Sequence, residues 1–278
     1  MLNKQRALLG DSVLECARIV TISIMDHPPP RKDLLVGRVI LITGAAQGIG
    51  KTAALTFARH GATVVLLDRA VKKLGAVYDD IEHAGYPQPA IISLDLQSAA
   101  AEDYENVAGT IDREIGRLDG LLHNAAELGT LTPLELYDLE RWVKVLTVNL
   151  HAPLLLTRAC LPLLKKSGDA SIVFTTADVG RKGRAYWGAY GVSCFALEGM
   201  MQILAAELES NTSVRVNSID PGAVRTAMRA RAYPGEDAGR LPTPESVMAT
   251  YLYLLGPDSK GVSGQAFSTQ PAKHPGER

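Results

Sequence analysis

Cysteine is scarce in this chain: three residues in 278, Cys16, Cys160 and Cys194, an odd number spread far apart. That argues against a disulfide framework and leads us to expect a reducing compartment, the cytoplasm. An excess of charge of one sign is lacking as well. Lysine plus arginine number 29 against 30 aspartate plus glutamate, and because the cations are scattered, the chain lacks the electrostatic footprint of a nucleic-acid binder. No uninterrupted apolar run approaches the ~20 residues of a spanning helix, so no membrane partner is expected. No set of cysteine, histidine and carboxylate has metal-ligand spacing, and His123, at the end of an apolar run, reads as a packed core histidine; no metal is expected. Internal repeats and low-complexity tracts are missing too. What is there, 46% apolar and 21% charged residues, is the balance of a globular protein, and the length suits one α/β domain.

Residues 1–36 read as an arm, separate from a single domain over 37–278. Lys4 and Arg6 precede a partly apolar stretch, but Asp11, Glu15 and Arg18 interrupt it, which argues for a loosely attached helix and against a targeting sequence. Pro28-Pro29-Pro30 then ends any helix with a stiff extended segment. Met25 precedes that run and is an alternative start, which mass spectrometry of the native N-terminus decides.

From Val39 onward, short unbroken apolar runs alternate with longer helical patterns, as in a parallel sheet covered on both faces. The runs are Val39 to Ile42, Thr63 to Leu67, Ala90 to Leu94, Gly120 to His123, Ser171 to Phe174, Val214 to Ile219 and a weak last one near Gln265 to Phe267. Helical composition covers Lys51 to His60, Ala70 to His83, Ala100 to Ile115, Leu136 to Leu164, Ala189 to Glu209 and Pro244 to Leu255. Right-handed crossovers turn this order into a doubly wound α/β fold with a parallel seven-stranded sheet. Arg225 to Leu241 has no periodicity and reads as a mobile lid, the alternative being an ordinary surface loop.

The first strand runs into Thr43-Gly44-Ala45-Ala46-Gln47-Gly48-Ile49-Gly50, which opens the first helix. There a phosphate meets unpaired backbone N–H groups and the positive helix end. Gly44 permits the tight turn, Gly48 lets the backbone approach a pyrophosphate, and Gly50 allows helix to pack closely on strand. Asp68 closes the second strand at the distance where an acidic residue holds the adenosine ribose. This is the Rossmann fingerprint, and it implies a nicotinamide dinucleotide. The Asp68 carboxylate accepts from free ribose hydroxyls and repels a 2′-phosphate, so NAD is expected ahead of NADP. Arg69 is the opposing signal, since an arginine there can reach such a phosphate; a solvated surface charge is the plainer reading.

The spacing Thr43 to Gly50 resembles the short-chain dehydrogenase/reductase family, and the likeness extends from Leu35 to about Phe267. Asp95-Leu96, Asn124-Ala125-Ala126, Asn149 and Pro221-Gly222 recur in the family's order. Gly180 to Ala185, Trp187 to Tyr190 and Arg225 to Met228 look like its YciK-like bacterial subgroup. The resemblance implies that Asp95 and Leu96 contact adenine, that Asn124 helps fix the fourth strand beside the ribose, that Ala125 belongs to the cofactor site, and that Pro221, Gly222 and Thr226 line the nicotinamide side. Ala126 departs from the family's glycine. The resemblance also implies a small alcohol or carbonyl substrate and a homodimer or homotetramer.

Tyr190 matches the family's proton-exchanging tyrosine, and Asn149 its asparagine. A free phenol titrates near ~10, and the family's lysine, one helical turn after the tyrosine, lowers that value. Here that position is Cys194, which carries no positive charge. The family's serine, thirteen residues before the tyrosine, is Ala177. Thr175 or Thr176 for the hydroxyl, and Arg181 or Lys182 for the charge, are substitutes without matching register. Asp178 is either a base or a partner for its own loop backbone, the second being favoured. Cys194 itself reads as a small buried apolar residue, since no histidine stands near it in sequence.

Two readings follow for the same site. One is an NAD(P)-dependent oxidoreductase interconverting an alcohol and a carbonyl; the other is a coenzyme-binding protein that has lost chemistry and serves regulation or assembly. A third is a structural subunit pairing through Phe195, Met200, Met201 and Leu204, for which the alternative is core packing.

Overall fold

The computed structural model describes residues 19–21 and 30–270. Runs of Val, Ile and Leu favour extended backbone, and where both faces are covered they stay apolar throughout. Val39–Thr43 (β2) is buried at all five residues, and Gly120–His123 (β5) at all four. Around them lie Thr63–Asp68 (β3), Ala90–Ser93 (β4), Ser171–Thr175 (β6), Arg215–Asp220 (β7) and Ala266–Ser268 (β8). All seven expected strands form.

An eighth joins them. Ile19–Thr21 (β1) pairs in parallel with β8, giving the order β1-β8-β7-β6-β5-β2-β3-β4. The sequence reading placed this segment in a helical arm; Ile-Val-Thr is β-branched, and the outer edge of β8 offers unpaired backbone groups, so extended pairing wins. Cys16, Met25, Pro28 and Pro29 lie outside the described residues.

Helices Gly48–Arg59 (α1), Val71–His83 (α2) and Met248–Leu255 (α8) bring Phe57, Leu74 and Tyr251 to one face of the sheet. Ala101–Glu114 (α3), Ala152–Lys166 (α5) and Gly188–Glu209 (α6) bring Tyr104, Leu156, Cys160 and Met201 to the other. α6 is long and apolar enough to cross a membrane by length and composition, but Leu197, Met201 and Ala205 are buried in this core. Met200 and Leu204 pack there as well, while Phe195 is exposed; the four do not form one outward face.

The single helix expected over Leu136 to Leu164 is split. Leu139–Leu146 (α4) passes through a π-helical turn, Thr147–His151, into α5. Such turns insert an extra residue and re-aim a side chain, here the buried Asn149. The lid segment is ordered as Ala227–Ala232 (α7) and a 3₁₀ turn, Ala238–Arg240. Thr226 caps α7 by accepting from Arg229 N at 3.1 Å.

The strand order reverses between β2 and β5, and at such a switch point the carboxyl ends of the strands open a crevice. His123 ends β5 buried against Phe174, rings stacked at 4.9 Å, with Nε2 2.8 Å from Thr157 Oγ1. Burial drives its pKa down to about 3.

Candidate active site

A cleft of about 1150 Å³ occupies that crevice, lined from Gly44 and Asp68 at one end to Tyr190, Trp187 and Tyr233 at the other. At its floor three glycines shape the loop. Gly44 N donates to Leu67 O at 2.8 Å, with φ +70 at Gly44. A Cβ on Gly50 would lie 2.1 Å from Gly44 O, so only glycine lets α1 start this close to β2. A Cβ on Gly48 would meet nothing nearer than Thr226 Cγ2 at 3.6 Å; the space there is open toward the cleft.

Gln47 precedes α1 as its N-cap residue without a side-chain cap hydrogen bond, and the first turn holds no acidic residue. Its leading N–H groups are thus left for an anion, and with Ile49 they line the cleft. These features fit a pyrophosphate. Thr43 Oγ1 accepts from Asn124 N (3.0 Å) and Ala125 N (3.1 Å), and Asn124 Nδ2 donates to Thr43 O and Gly44 O. The asparagine therefore ties the end of β5 to the glycine loop. Ala126 is exposed at the cleft wall.

Asp68 accepts from Ala46 N at 3.3 Å and Ala70 N at 3.0 Å, which fixes its carboxylate beside the glycine loop. Arg69 lies 3.6 Å from Asp95, and Lys73 donates to Gln47 Oε1 at 3.0 Å. Leu96 completes this end, nearly buried. At the opposite end Pro221 and Gly222 turn at φ +69 on Gly222, and Thr226 lines the cleft beside them.

Tyr190 lies in the first turn of α6 and lines the cleft. Asn149 Nδ2 donates to Ser193 Oγ (3.0 Å) and Glu127 O (3.0 Å), its Oδ1 accepts from Glu127 N (2.7 Å), and Ser193 Oγ donates to Tyr190 O (2.8 Å). Asn149 thereby joins the loop after β5 to the tyrosine's turn. Cys194 is 3% exposed beneath Gly180, where an added Cβ would come within 2.6 Å of its own. Burial pushes its thiol up to about 12. Burial, with Cys194, Asp220 and Asp178 nearby, also raises the Tyr190 phenol well above its ordinary value. That is the reverse of what a lysine does.

The proposed substitutes are otherwise engaged. Thr176 Oγ1 donates to Glu198 at 2.7 Å, and Thr175 Oγ1 sits 3.3 Å from Tyr251 OH. Arg181 is held by Glu198 and Phe267 O, while Lys182 stays at the exposed rim. Asp178 pairs with the Arg184 side chain and not with its own backbone. Arg184 also donates to Tyr233 OH at 2.9 Å, which couples the segment after β6 to the end of α7 across the cleft.

Sequence reasoning missed three groups here. Glu198 lies one turn after Cys194 as the one charged residue of α6 before Glu207, a spacing that could have flagged it. Asp220 follows the apolar run of β7 directly before Pro221. Tyr233 carried no local signal, because its partner Arg184 is distant in sequence.

The short-chain dehydrogenase profile matches residues 38–237. YciK of Escherichia coli (strain K12), named an uncharacterized oxidoreductase, is 48% identical over 90% of this chain and 98% of its own. A short chain dehydrogenase structure from Pseudomonas syringae superposes with a TM-score of 0.86 at 57% identity, covering 87% of this chain and 98% of that one. Another, from Shigella flexneri 2a and complexed with NADP, gives 0.84 at 48% identity over 87% and 100%.

Proposed function

The chain belongs to the short-chain dehydrogenase/reductase family, and from that premise we propose that it is an NAD(P)-dependent oxidoreductase that reduces a small carbonyl compound to an alcohol. The supporting observation is the glycine loop, whose uncapped helix start and open Gly48 face the same cleft as Tyr190. Gly48 to Gly50 would hold the pyrophosphate, Asp68 the adenosine ribose, and Pro221-Gly222 with Thr226 the nicotinamide end. A bound coenzyme of this kind supplies a hydride. Tyr190 keeps its proton because burial and neighbouring carboxylates disfavour the phenolate, so it acts as donor to a carbonyl oxygen rather than as a base toward an alcohol.

NAD is the coenzyme we favour. A 2′-phosphate beside Asp68 would meet a carboxylate already fixed by two backbone N–H groups, and Arg69 is turned toward Asp95. The Shigella flexneri relative carries NADP, so the preference rests on this chain's own aspartate.

The test is binding of NADH and NADPH by fluorescence, followed by coenzyme oxidation with an aromatic diketone, a β-keto ester and an aliphatic aldehyde as probes. Failure to bind either coenzyme at millimolar levels rejects the reading. Tight binding without any hydride transfer turns the protein into a coenzyme-binding relative with a regulatory or assembly role, which Ala177 and Cys194 would then explain. Self-association as a dimer or tetramer belongs to the same proposal. Exposed Leu139 and Val143 on α4, Leu154 on α5 and Phe195 on α6 are the apolar residues it would cover, and light scattering reads it directly. The buried thiols of Cys160 and Cys194 suit a cytoplasmic setting.

A further inference from the structure

β6 and β7 run parallel with Phe174 opposite Ser218 and Thr175 opposite Ile219. Side chains alternate along a strand, so Ser218 and Asp220 share one face. Ser218 Oγ donates to Glu198 Oε2 at 2.6 Å, and Thr176 bonds the other oxygen, which places that face against α6. Two residues of strand advance by about 6.6 Å and one helical turn by about 5.4 Å. One step beyond the Ser218–Glu198 contact, toward the cleft, Asp220 therefore comes level with Cys194, one helical turn short of Tyr190, whose phenol feels the Asp220 charge.

Asp220 is 7% exposed and lines the cleft. Gly222 N donates to its Oδ1 at 2.8 Å; Oδ2 has no hydrogen-bond partner among the described residues. We infer that Asp220 is the proton-exchange group of this site, returning to Tyr190 the proton that the family's lysine position, now Cys194, can no longer relay. The inference rests on the carbonyl-reductase reading above. In the balanced step the carbonyl carbon gains the hydride that the reduced coenzyme supplies, and its oxygen takes the Tyr190 proton. The Asp220 carboxyl reprotonates the phenolate, and solvent reprotonates the carboxylate. Asp220 acts through Tyr190 and is a positioning residue for the proton.

The charged groups that act on its titration are Arg181 and Asp178 from the segment after β6 and Glu198 from α6, while Tyr190 and Cys194 on α6 and Tyr251 on α8 face its charge. Burial outweighs the Gly222 N–H and Arg181, and lifts the carboxyl to about 6. The protonated form is thus available at mildly acidic to neutral pH. Since reduction uses that form, kcat should be full below about 6 and fall as pH rises through it.

The experiment compares wild type with Asp220→Asn, which keeps an acceptor for Gly222 N–H, using NADH and the three carbonyl probes across a pH series. The expected result is a loss of roughly 10²-fold in kcat on the acidic side, with KM little changed and the limb near pH 6 abolished. A second readout needs no turnover: carboxyl carbon NMR should show an Asp220 midpoint near 6, and Cys194→Lys should pull it down by about 1 to 3 pH units. An active wild type whose pH profile survives in Asp220→Asn, or a midpoint unmoved by Cys194→Lys, overturns the inference alone. A wild type inactive on every probe overturns the functional reading instead, leaving the NMR titration to judge whether Asp220 and position 194 are neighbours.

Discussion

Arg181 Nε donates to Glu198 Oε1 at 3.0 Å, with both side chains almost wholly withdrawn from solvent. The guanidinium that lies nearest in sequence to the damaged site is thus neutralised by a carboxylate on the tyrosine's own helix. Its second anchor, Phe267 O at 2.9 Å, fixes it to the end of β8. It does not replace the missing lysine, and the consequence is measurable.

Restoring the family pair, Ala177→Ser with Cys194→Lys, should raise reductase turnover by about 10²-fold or more over wild type. The added cation should also draw the Tyr190 phenol down from its raised value, so alcohol oxidation becomes measurable at lower pH than in wild type. Steady-state rates in both directions check this. Brisk wild-type turnover that the double reversion leaves unchanged would show that the two positions do not limit the chemistry.

The two glycines of the loop should respond differently. Gly50→Ala places a methyl against Gly44 O and Asn124 Nδ2, and should cost about 3 kcal/mol of stability together with coenzyme binding. Gly48→Ala meets only Thr226 Cγ2 at 3.6 Å, so the fold should lose about 1 kcal/mol to the left-handed conformation while coenzyme affinity falls. Melting temperature and coenzyme titration separate the two; a Gly48→Ala protein with wild-type affinity would remove the pyrophosphate from that loop.

Replacing Asp68 by alanine should shift selectivity toward NADP by roughly 10- to 10²-fold, because one unit charge about 4 Å from another is worth ~1 to 4 kcal/mol between water and a protein surface. With the Asp68 charge gone, Arg69 is the cation that a 2′-phosphate can draw away from Asp95, and Arg69→Ala in that background should give back part of the gain. Paired Kd values for NADH and NADPH decide it.

Acid stability should depend on His123. Its folded pKa is about 3 against an ordinary 6.5, so the unfolded chain binds the extra proton; stability is full above 6.5 and drains away as pH falls toward 3. Asp119 and Asp169, held below the usual carboxylate value of 3.8 by arginine partners, add their loss only below that value. Asp220 works in the opposite sense, its raised value favouring the fold as pH falls from about 6. The useful quantity is therefore the difference between wild type and His123→Phe. Denaturant midpoints should converge between pH 6.5 and the carboxylate range, and parallel curves would contradict a neutral buried imidazole.

The strands were legible because a parallel sheet covered on both faces demands unbroken apolar runs, and Val39 to Ile42 and Gly120 to His123 provide them. The glycine loop was legible for a similar reason: its three glycines stand within eight residues, between an apolar run and a helical pattern. Tyr190, Ala177 and Cys194 followed from the family resemblance, whose landmarks there lie along one chain segment. Ile19–Thr21 was not readable as a strand, since its only partner among the described residues is β8, nearly the whole chain away.

By itself, then, the sequence determined the alternation of elements, the anion-binding start of α1, and the replacement of the family's serine and lysine at positions 177 and 194, all of them properties of local pattern. Only the tertiary structure decided that Arg181 is occupied by Glu198, that Asn149 is re-aimed by a π turn, and that Asp220 stands level with Cys194. Those facts depend on which face of β7 meets which turn of α6, a choice made by packing between segments that the linear order keeps apart.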